Sequence, residues 1–217
     1  MSYQRFRLAR VMTTAQKAMR LFAVLVAGAE LVSPLGPDGE VAIFRGETRL
    51  HALMFWLRNP DYLAHELLDL AALKPDASLI GVVHRMLEDD EPILRRDGMA
   101  KWRHGAYEPI DDEMAILSSV GLVRTVMRHA GPRSAANDFL LLPGSLELAA
   151  ELESNIAYNW YAERMRLVLL VAAGQRGSVL KKRQYQQIEY ATTRGRHLIP
   201  SIAGRVAERL EAMTHGA

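Results

Sequence analysis

Apolar residues recur at intervals of three and four positions along most of the chain, which is the spacing of one face of an α-helix. Clusters of proline and glycine, such as SPLGPDG at 33–39, interrupt this pattern and mark the ends of predicted elements. Asn59 and Pro60 are suited to the cap and the first position of a helix. The pattern therefore predicts helices over residues 7–30, 47–57, from 60 onward, and 77–87.

The second half of the chain changes from helical spacing to two strands and back. Pro109 begins a helix that Gly121 ends. Its apolar side carries Ile110, Met114, Leu117 and Val120. LVRTVMRHA and DFLLL then flank the polar loop AGPRSAAN, which predicts a β-hairpin. With the short strand EVAIF earlier and a helix in SLELAAELE afterwards, the order is that of a winged helix-turn-helix with an insertion.

Three segments resemble small prokaryotic winged-helix proteins related to the Panacea-type antitoxin domain. They are RGETRLHALMFWL at 45–57, WRHGAYEPIDDEMAILSSVGLV at 102–123 and FLLLPGSLELAAEL at 139–152. The resemblance covers residues 18–152, and it departs from the family where Gly-Pro-Tyr is replaced by Gly105-Ala106-Tyr107. It implies a winged helix and leaves function open, because proteins of this kind serve as antitoxins, as regulators and as partners of other proteins.

We expect a mainly α-helical fold with a small β-hairpin wing. The winged-helix domain, with its N-terminal helix, is predicted over residues 1–153, and a helical, basic C-terminal region over 154–217. NIAYNWYAERMRLVLLVAA, at 155–173, ends in a strongly apolar run. A helix this apolar is buried either in the core or in a dimer interface. The second alternative predicts a homodimer through this helix.

Charge is strongly segregated along the chain, although the formal net charge is only +2. Residues 1–29 hold five lysines or arginines and no acid, whereas residues 109–163 hold eight acids and three arginines. Residues 164–209 hold ten lysines or arginines against Glu189 and Glu208. Such a segregation of charge indicates what the protein binds rather than how it folds. A basic surface either attracts nucleic acid or covers an acidic surface of the same chain or of a dimer mate.

The helix after Pro109 opens with Asp111, Asp112 and Glu113, where a DNA-reading helix is expected to carry arginines. Carboxylates in a first turn stabilise a helix through its dipole, but they repel a phosphate backbone. We therefore expect sequence-specific reading through this helix to be weaker than in an ordinary repressor. The N-terminal arm, the wing and the last basic helix are expected to carry the DNA contacts instead.

SVLKKRQYQQIEYATTRGR, at 178–196, is strongly basic and predicts a single helix rich in amide and tyrosine side chains. Lysine and arginine bind phosphates with salt-dependent affinity, and glutamine or tyrosine can reach bases and sugars. A partner contact, a dimer contact or a solvated basic face would give the same composition. The preceding GQRGS, at 174–178, is only faintly similar to a phosphate-binding loop, so a plain helix–helix turn is favoured.

Candidate nucleic-acid contacts come from several of these regions, and each has a basic or amide side chain that suits phosphates, sugars or bases. They are Arg45 and Arg49 beside the second helix, Arg103 and His104 before the acidic helix, Arg128 and Arg133 at the wing, and Lys181, Lys182, Arg183, Gln187, Arg194 and Arg196 in the C-terminal region.

Signatures of catalysis or metal binding are weak throughout. The chain has no cysteine, which excludes disulfides, thiolate zinc sites and a cysteine nucleophile. Pairs such as Glu47 and His51 offer two ligands, fewer than a metal site requires. Arg124 and His129 match a spacing found in some helical ribonucleases, but they fall on a predicted strand. We expect no enzymatic activity, no cofactor and no metal.

The apolar run LFAVLVAGA, at 21–29, has nine residues, and a membrane span needs roughly 20. No signal-peptide pattern follows the basic N-terminus. We therefore expect a cytoplasmic protein that does not enter a membrane.

Two functions remain after these exclusions. The first is a DNA-binding regulator, or an accessory of a defence or toxin–antitoxin system. The second is a non-enzymatic adaptor or antitoxin-like module that holds a protein encoded nearby and has only nonspecific affinity for DNA. The charge segregation and the winged-helix order motivate the first function.

Overall fold

The computed structural model of the chain describes residues 12–74, 76–88, 98–131 and 134–215. The helices in this part of the chain are α1 (Thr14–Gly28), α2 (Glu47–Arg58), α3 (Pro60–Leu73), α4 (Ala77–Glu88), α5 (Asp111–Ser119), α6 (Pro143–Glu151), α7 (Ile156–Ala172), α8 (Gly177–Gln184), α9 (Ile188–Thr192) and α10 (Ala203–His215). The strands are β1 (Glu30–Leu31), β2 (Ala42–Phe44), β3 (Lys101–Trp102), β4 (Gly105–Ala106), β5 (Val123–Gly131) and β6 (Ser134–Leu141). The protein is therefore mainly helical, as the periodicity predicts.

The helix boundaries follow local signals in the sequence. Thr13 caps α1 in a capping box, because its side chain accepts from the Gln16 amide and Gln16 in turn accepts from the Thr13 amide. Pro60 stands at the first position of α3, as predicted. α1 ends at Gly28, within the predicted range of 7–30, and residues 7–11 of that range lie outside the described residues.

A four-stranded antiparallel sheet has the order β1-β2-β6-β5. The predicted hairpin is formed by β5 and β6, with Thr125 opposite Phe139. β2, which comes from the predicted EVAIF strand, pairs with the other edge of β6 and sets Phe44 opposite Phe139. Both phenylalanines are buried, and their ring centroids lie 6.2 Å apart. The sheet therefore joins the segment before α2 to the hairpin after α5.

α5 lies directly before that hairpin. Ile110, Met114 and Leu117 are buried, as predicted, but Val120 is 62% exposed, so its assignment to the apolar side is wrong. Val120 is the C-cap residue, and the chain turns there into Gly121, whose φ is +71°. The change of direction carries the Val120 side chain away from the face that packs on the core.

The helices share one buried core with contributions from both sides of position 153. α1 packs against α5 and α7, and α2 packs against α7 and α8. Phe22, Leu25, Leu53, Met165 and Val168 are each at most 1% exposed there. The division into folding units at residues 1–153 and 154–217 stays a prediction. Within the described residues, none of the helices combines the length and the apolar character needed to cross a membrane.

α7 buries one face within its own chain, including Tyr161, Met165 and Val168. Two of its apolar side chains, Ile156 and Leu170, are exposed. The inner face therefore serves the core, which was the first of the two alternatives. A homodimer through the outer face stays a prediction.

The expectation of one helix over residues 178–196 is wrong. α8 ends at Gln184, whose buried side-chain amide donates to the carbonyl of Ala52 at 2.9 Å. Gln187 is extended, and α9 begins after it. The interruption lets the rings of Tyr185 and Tyr190 meet at 5.0 Å, where a continuous helix would separate them along its axis. Packing and a buried hydrogen bond therefore override the helical tendency of the segment.

Candidate nucleic-acid interface

The arginines beside the β5–β6 hairpin are paired with acids. Arg128 donates from Nε to Asp138 at 2.6 Å, and Arg45 lies 3.3 Å from Glu30. Asp138 is buried, and it also accepts from the amide of Gly46 at 2.9 Å. The hydrogen bond that Arg128 donates to Asp138 raises the pKa of Arg128. These arginines keep exposed surface, but an approaching phosphate also meets the carboxylates that neutralise them.

Arg49, at the start of α2, lies within the packing of the chain. Its Nη1 donates to the carbonyl of Gly28 at 2.7 Å, and its guanidinium lies 4.8 Å from the centroid of the Phe44 ring. Burial lowers the pKa of Arg49. Arg49 thereby links α1 to the sheet.

The three consecutive cations of α8 have different surroundings. Lys181 is half-buried, and burial lowers its pKa. Arg183 pairs with buried Glu66 and donates to the carbonyl of Val171 at 2.8 Å. Its guanidinium also lies 5.5 Å from the Trp56 ring centroid. Lys182 is exposed, so of these three it is the one most open to a ligand.

Gln187 takes part in a local network between α9 and α10. Its Oε1 accepts from Arg205 at 2.9 Å, and Arg205 also binds both carboxylate oxygens of Glu189. The Gln187 side chain is thus engaged with its own chain.

The segment before α5 forms a β-hairpin that the sequence pattern did not predict. β3 and β4 pair with Lys101 opposite Ala106 and Trp102 opposite Gly105, so Arg103 and His104 form its two-residue turn. Gly105 has a φ of +113°, a region that suits glycine. A Cβ at Gly105 would also lie 2.6 Å from the hydroxyl of Tyr190.

The outer side of this hairpin pairs with the segment after α9. Ala100 forms an antiparallel bridge with Leu198, and the amide of Lys101 donates to the carbonyl of His197 at 2.9 Å. The amide of Arg196 donates back to the carbonyl of Lys101. This pairing brings the segment that holds Arg194 and Arg196 against the hairpin that holds Arg103 and His104, although about 90 residues separate them in sequence.

Lys101 and Tyr190 fix the hairpin to the core. The ammonium of buried Lys101 donates to the carbonyls of Tyr190 and Ala191, at 3.0 and 2.7 Å, at the end of α9. The amide of Ala106 donates to the Tyr190 hydroxyl at 2.7 Å. The Tyr190 ring packs on Phe55 of α2, with centroids 5.0 Å apart. A cation at the C-terminal end of a helix also complements the helix dipole.

The surface formed in this way is named the hairpin patch. It consists of Trp102, Arg103, His104, Arg194, Arg196 and His197, all of which are exposed. Arg196 holds its guanidinium 5.5 Å from the centroid of the Trp102 ring. Within the part of the chain that the structure describes, none of its three arginines forms an ion pair. The patch therefore presents an aromatic ring and three positive charges that have no carboxylate partner among the described residues.

The basic residues of the N-terminal helix do not add to this surface. Arg20 is buried, and Arg20 and Arg58 both bind Glu108. Lys17 lies 3.6 Å from the same carboxylate. Arg5, Arg7 and Arg10 of the predicted arm, and Arg133 of the predicted wing contacts, lie outside the described residues.

The exposed face of α5 has the opposite character. Asp111 and Asp112 are exposed in its first turn, and Ile116 and Val120 are exposed further along. No lysine or arginine occurs in the helix. This face suits a basic or apolar partner better than a phosphate backbone.

Trp102, His197 and Lys101 were not among the predicted contacts. A signal for the first was present, because Trp102 directly precedes the predicted contact Arg103 and Gly105 marks a turn close by. No local signal places His197 beside this turn, since their association depends on pairing between distant segments.

Comparison with protein-family models, with curated proteins and with solved structures gives no match to this chain. The relationship to Panacea-type winged-helix proteins therefore stays a prediction, and function is argued from the residues of this chain alone.

Proposed function

We propose that the protein is a cytoplasmic winged-helix protein that binds nucleic acid through the hairpin patch, and that it acts as a DNA-binding regulator or as an accessory of a defence or toxin–antitoxin system. The assignment of a winged helix rests on the order of α2, α3, α5 and the β5–β6 hairpin. It also rests on β2, which pairs with the edge of β6 that β5 leaves open. In a winged helix the strand before the helical pair joins the wing in this way. The segment from α4 to β4 is then an insertion before the third helix.

The observation that carries the proposed activity is the set of unpaired arginines in the hairpin patch. Arg103, Arg194 and Arg196 contribute three positive charges without a carboxylate partner in the described residues. Arg45, Arg124 and Arg128 near the wing are each within 3.3 Å of an acid. Phosphate binding releases counterions in proportion to the net charge that contacts the backbone, so it favours the patch.

The backbone of Arg196 supports the same proposal. Its φ of +69° lies in the left-handed region, which costs a residue other than glycine about 1 kcal/mol. The hydrogen bond from its amide to Lys101 and the contact with the Trp102 ring hold this conformation. Strain at a ligand-binding residue is a recurrent feature of functional sites.

A direct test compares two triple variants in the full-length protein. Arg103→Gln/Arg194→Gln/Arg196→Gln removes three charges from the patch, and Arg45→Gln/Arg124→Gln/Arg128→Gln removes the same charge near the wing. Each variant is titrated against labelled duplex from its own upstream region and against a scrambled duplex, at low and at physiological salt. Thermal unfolding checks that both variants are folded at the assay temperature.

We expect the patch variant to bind roughly 10- to 100-fold more weakly. The slope of its log binding constant against log salt concentration should become shallower by about three. The wing variant should change affinity by less than about threefold. The reverse result would move the contact surface to the wing. Tighter binding of the upstream duplex that persists at physiological salt would indicate autoregulation.

A second function is favoured by the face of α5. Its two exposed carboxylates and its exposed Ile116 and Val120 match an adaptor that holds a basic protein partner. Two results together would establish this function instead. The wild-type protein would bind neither duplex, and it would capture a neighbouring gene product that the Asp111→Lys/Asp112→Lys variant does not capture.

A further inference from the structure

Trp102 is an exposed residue of β3, directly before the two-residue turn of the β3–β4 hairpin. The ring is 41% exposed, whereas Trp56 and Phe55 in the core are at most 1% exposed. Tyr107 contacts it edge-on, at 6.2 Å between centroids and 80° between planes. The guanidinium of Arg196 lies 5.5 Å from its centroid. An indole held in this way presents part of its ring to a ligand, with a positive charge beside it.

The hairpin does not depend on Trp102 for its position. Lys101 and Ala106 provide the hydrogen bonds that fix it to α9, and Gly105 packs closely against Tyr190. A smaller side chain at position 102 would leave these contacts intact. The Trp102 ring is therefore not needed to hold the hairpin, and its exposed surface is open to a ligand.

We propose that Trp102 is a stacking platform for an unpaired base, and that Arg103, Arg194 and Arg196 bind the phosphates beside it. The inference rests on the proposed function, and it specifies the class of ligand. Every nucleobase has a π-face that can stack on tryptophan, but in a duplex these faces are covered by the neighbouring bases. The hairpin patch therefore takes single-stranded nucleic acid in preference to duplex.

The test measures binding of a labelled oligothymidine of about ten nucleotides, a length within the usual site sizes for single-strand binding. A duplex of equal length is the second probe. The proteins are the wild type, Trp102→Ala, Trp102→Leu and Trp102→Phe. Leu198→Ala is the matched control, because Leu198 is an exposed apolar side chain on the segment that pairs with the hairpin.

We expect Trp102→Ala and Trp102→Leu to bind the single strand about tenfold more weakly, with duplex affinity changed by less than about twofold. Trp102→Phe should retain most of the affinity, because it keeps an aromatic ring. Leu198→Ala should change neither affinity. An equal loss for both probes, or no loss for either, would overturn the stacking role while leaving the charged patch in place.

Two further probes separate the possible failures. The first is an abasic strand of the same length, which has no bases to stack. Wild type should bind it as weakly as Trp102→Ala binds oligothymidine. If wild type binds the abasic strand and oligothymidine equally well, stacking is refuted. Polyglutamate of matched charge should bind more weakly than the single strand. If it binds as tightly, the patch takes acidic protein segments. If the Arg103→Gln/Arg194→Gln/Arg196→Gln variant binds as wild type does, the proposed function itself fails.

Discussion

Two cationic surfaces of this protein differ in how much of their charge is available. Near the β5–β6 hairpin, Arg45, Arg124 and Arg128 lie 2.6 to 3.3 Å from Glu30, Asp38 and Asp138, so the local charges cancel. In the hairpin patch, Arg103, Arg194 and Arg196 have no such partner among the described residues. An arginine in the sequence is therefore a poor measure of positive potential until its neighbours in space are known.

The difference also separates the expected reading helix from the proposed contact surface. α5 begins with carboxylates that stabilise it through its dipole and repel phosphate. β3 and β4 form an additional surface directly before α5, and it carries the opposite charge. On the proposed function, the insertion takes over the contact that the third helix makes in an ordinary winged-helix repressor.

The largest expected effect concerns Arg183, which is basic in sequence but lies within the fold. Arg183→Ala leaves Glu66 buried without its cation, and we expect a loss of about 3 kcal/mol in the free energy of unfolding. Lys182→Ala, next to it on α8, should change stability by less than about 0.5 kcal/mol. Urea denaturation of both variants measures the difference, and a similar loss for the two would contradict this distinction.

The ion pair of Arg183 with Glu66 also predicts how the stability of the Arg183→Ala variant depends on pH. Burial raises the pKa of Glu66, and Arg183 acts against this increase. Without Arg183 the pKa of Glu66 rises further. A raised carboxyl pKa in the folded state favours the protonated form, so stability is lost as pH rises through it. The loss of unfolding free energy in Arg183→Ala should thus be largest near neutral pH and should shrink in acid. A loss that does not depend on pH would exclude Glu66 as its cause.

Lys101 tests whether the hairpin patch is held in place by its buried anchor. Lys101→Met keeps the aliphatic volume but removes the donor to two carbonyls at the end of α9. We expect stability to fall by about 2 kcal/mol and nucleic-acid affinity to fall by about tenfold, although no exposed charge is changed. Isothermal titration and thermal unfolding measure the two effects, and unchanged affinity would mean that the patch is ordered without this anchor.

Asp138 offers a way to make the two surfaces alike. Asp138→Asn removes the charge that faces Arg128 and Arg45, and it weakens the bond to the Gly46 amide. We expect a stability loss of about 1 kcal/mol and a duplex affinity that rises about threefold at low salt. Fluorescence anisotropy at two salt concentrations checks the second effect. An unchanged affinity would show that the β5–β6 hairpin does not come near the duplex.

The smallest effects are expected at the start of α5. Asp111→Asn and Asp112→Asn each remove a favourable interaction with the helix dipole, at about 0.3–1 kcal/mol. Duplex affinity should change by less than about twofold, because the proposed contact surface lies elsewhere. Thermal unfolding and the same anisotropy assay measure both quantities. A tenfold rise in affinity would place this helix against the phosphates after all.

Much of the fold could be predicted because its signals are local. The apolar spacing predicted α1 to α5, and the polar loop between LVRTVMRHA and DFLLL predicted the β5–β6 hairpin. The single helix over 178–196 was wrong, because a hydrogen bond from Gln184 to Ala52 and the contact of Tyr185 with Tyr190 interrupt it. Neither contact leaves a periodic signal in the segment.

The candidate site could be predicted only in part. Arg103, Arg194 and Arg196 were named from their charge, but nothing in the sequence showed that they are neighbours. Trp102 and His197 were missed, because their exposure depends on the pairing of residues 99–101 with 196–199. Arg183 was predicted to contact nucleic acid, but in the structure it donates a hydrogen bond to Glu66, 117 positions away in the sequence.

By itself, the sequence determined the helical class of the protein, the positions of its turns and the segregation of charge along the chain, because each arises from neighbouring residues. The tertiary structure alone decided which charges face solvent, which are neutralised and which stand beside an exposed tryptophan. The physical reason is that the energy of a charge depends on the groups within a few ångströms of it. In a folded chain, those groups come mostly from distant parts of the sequence.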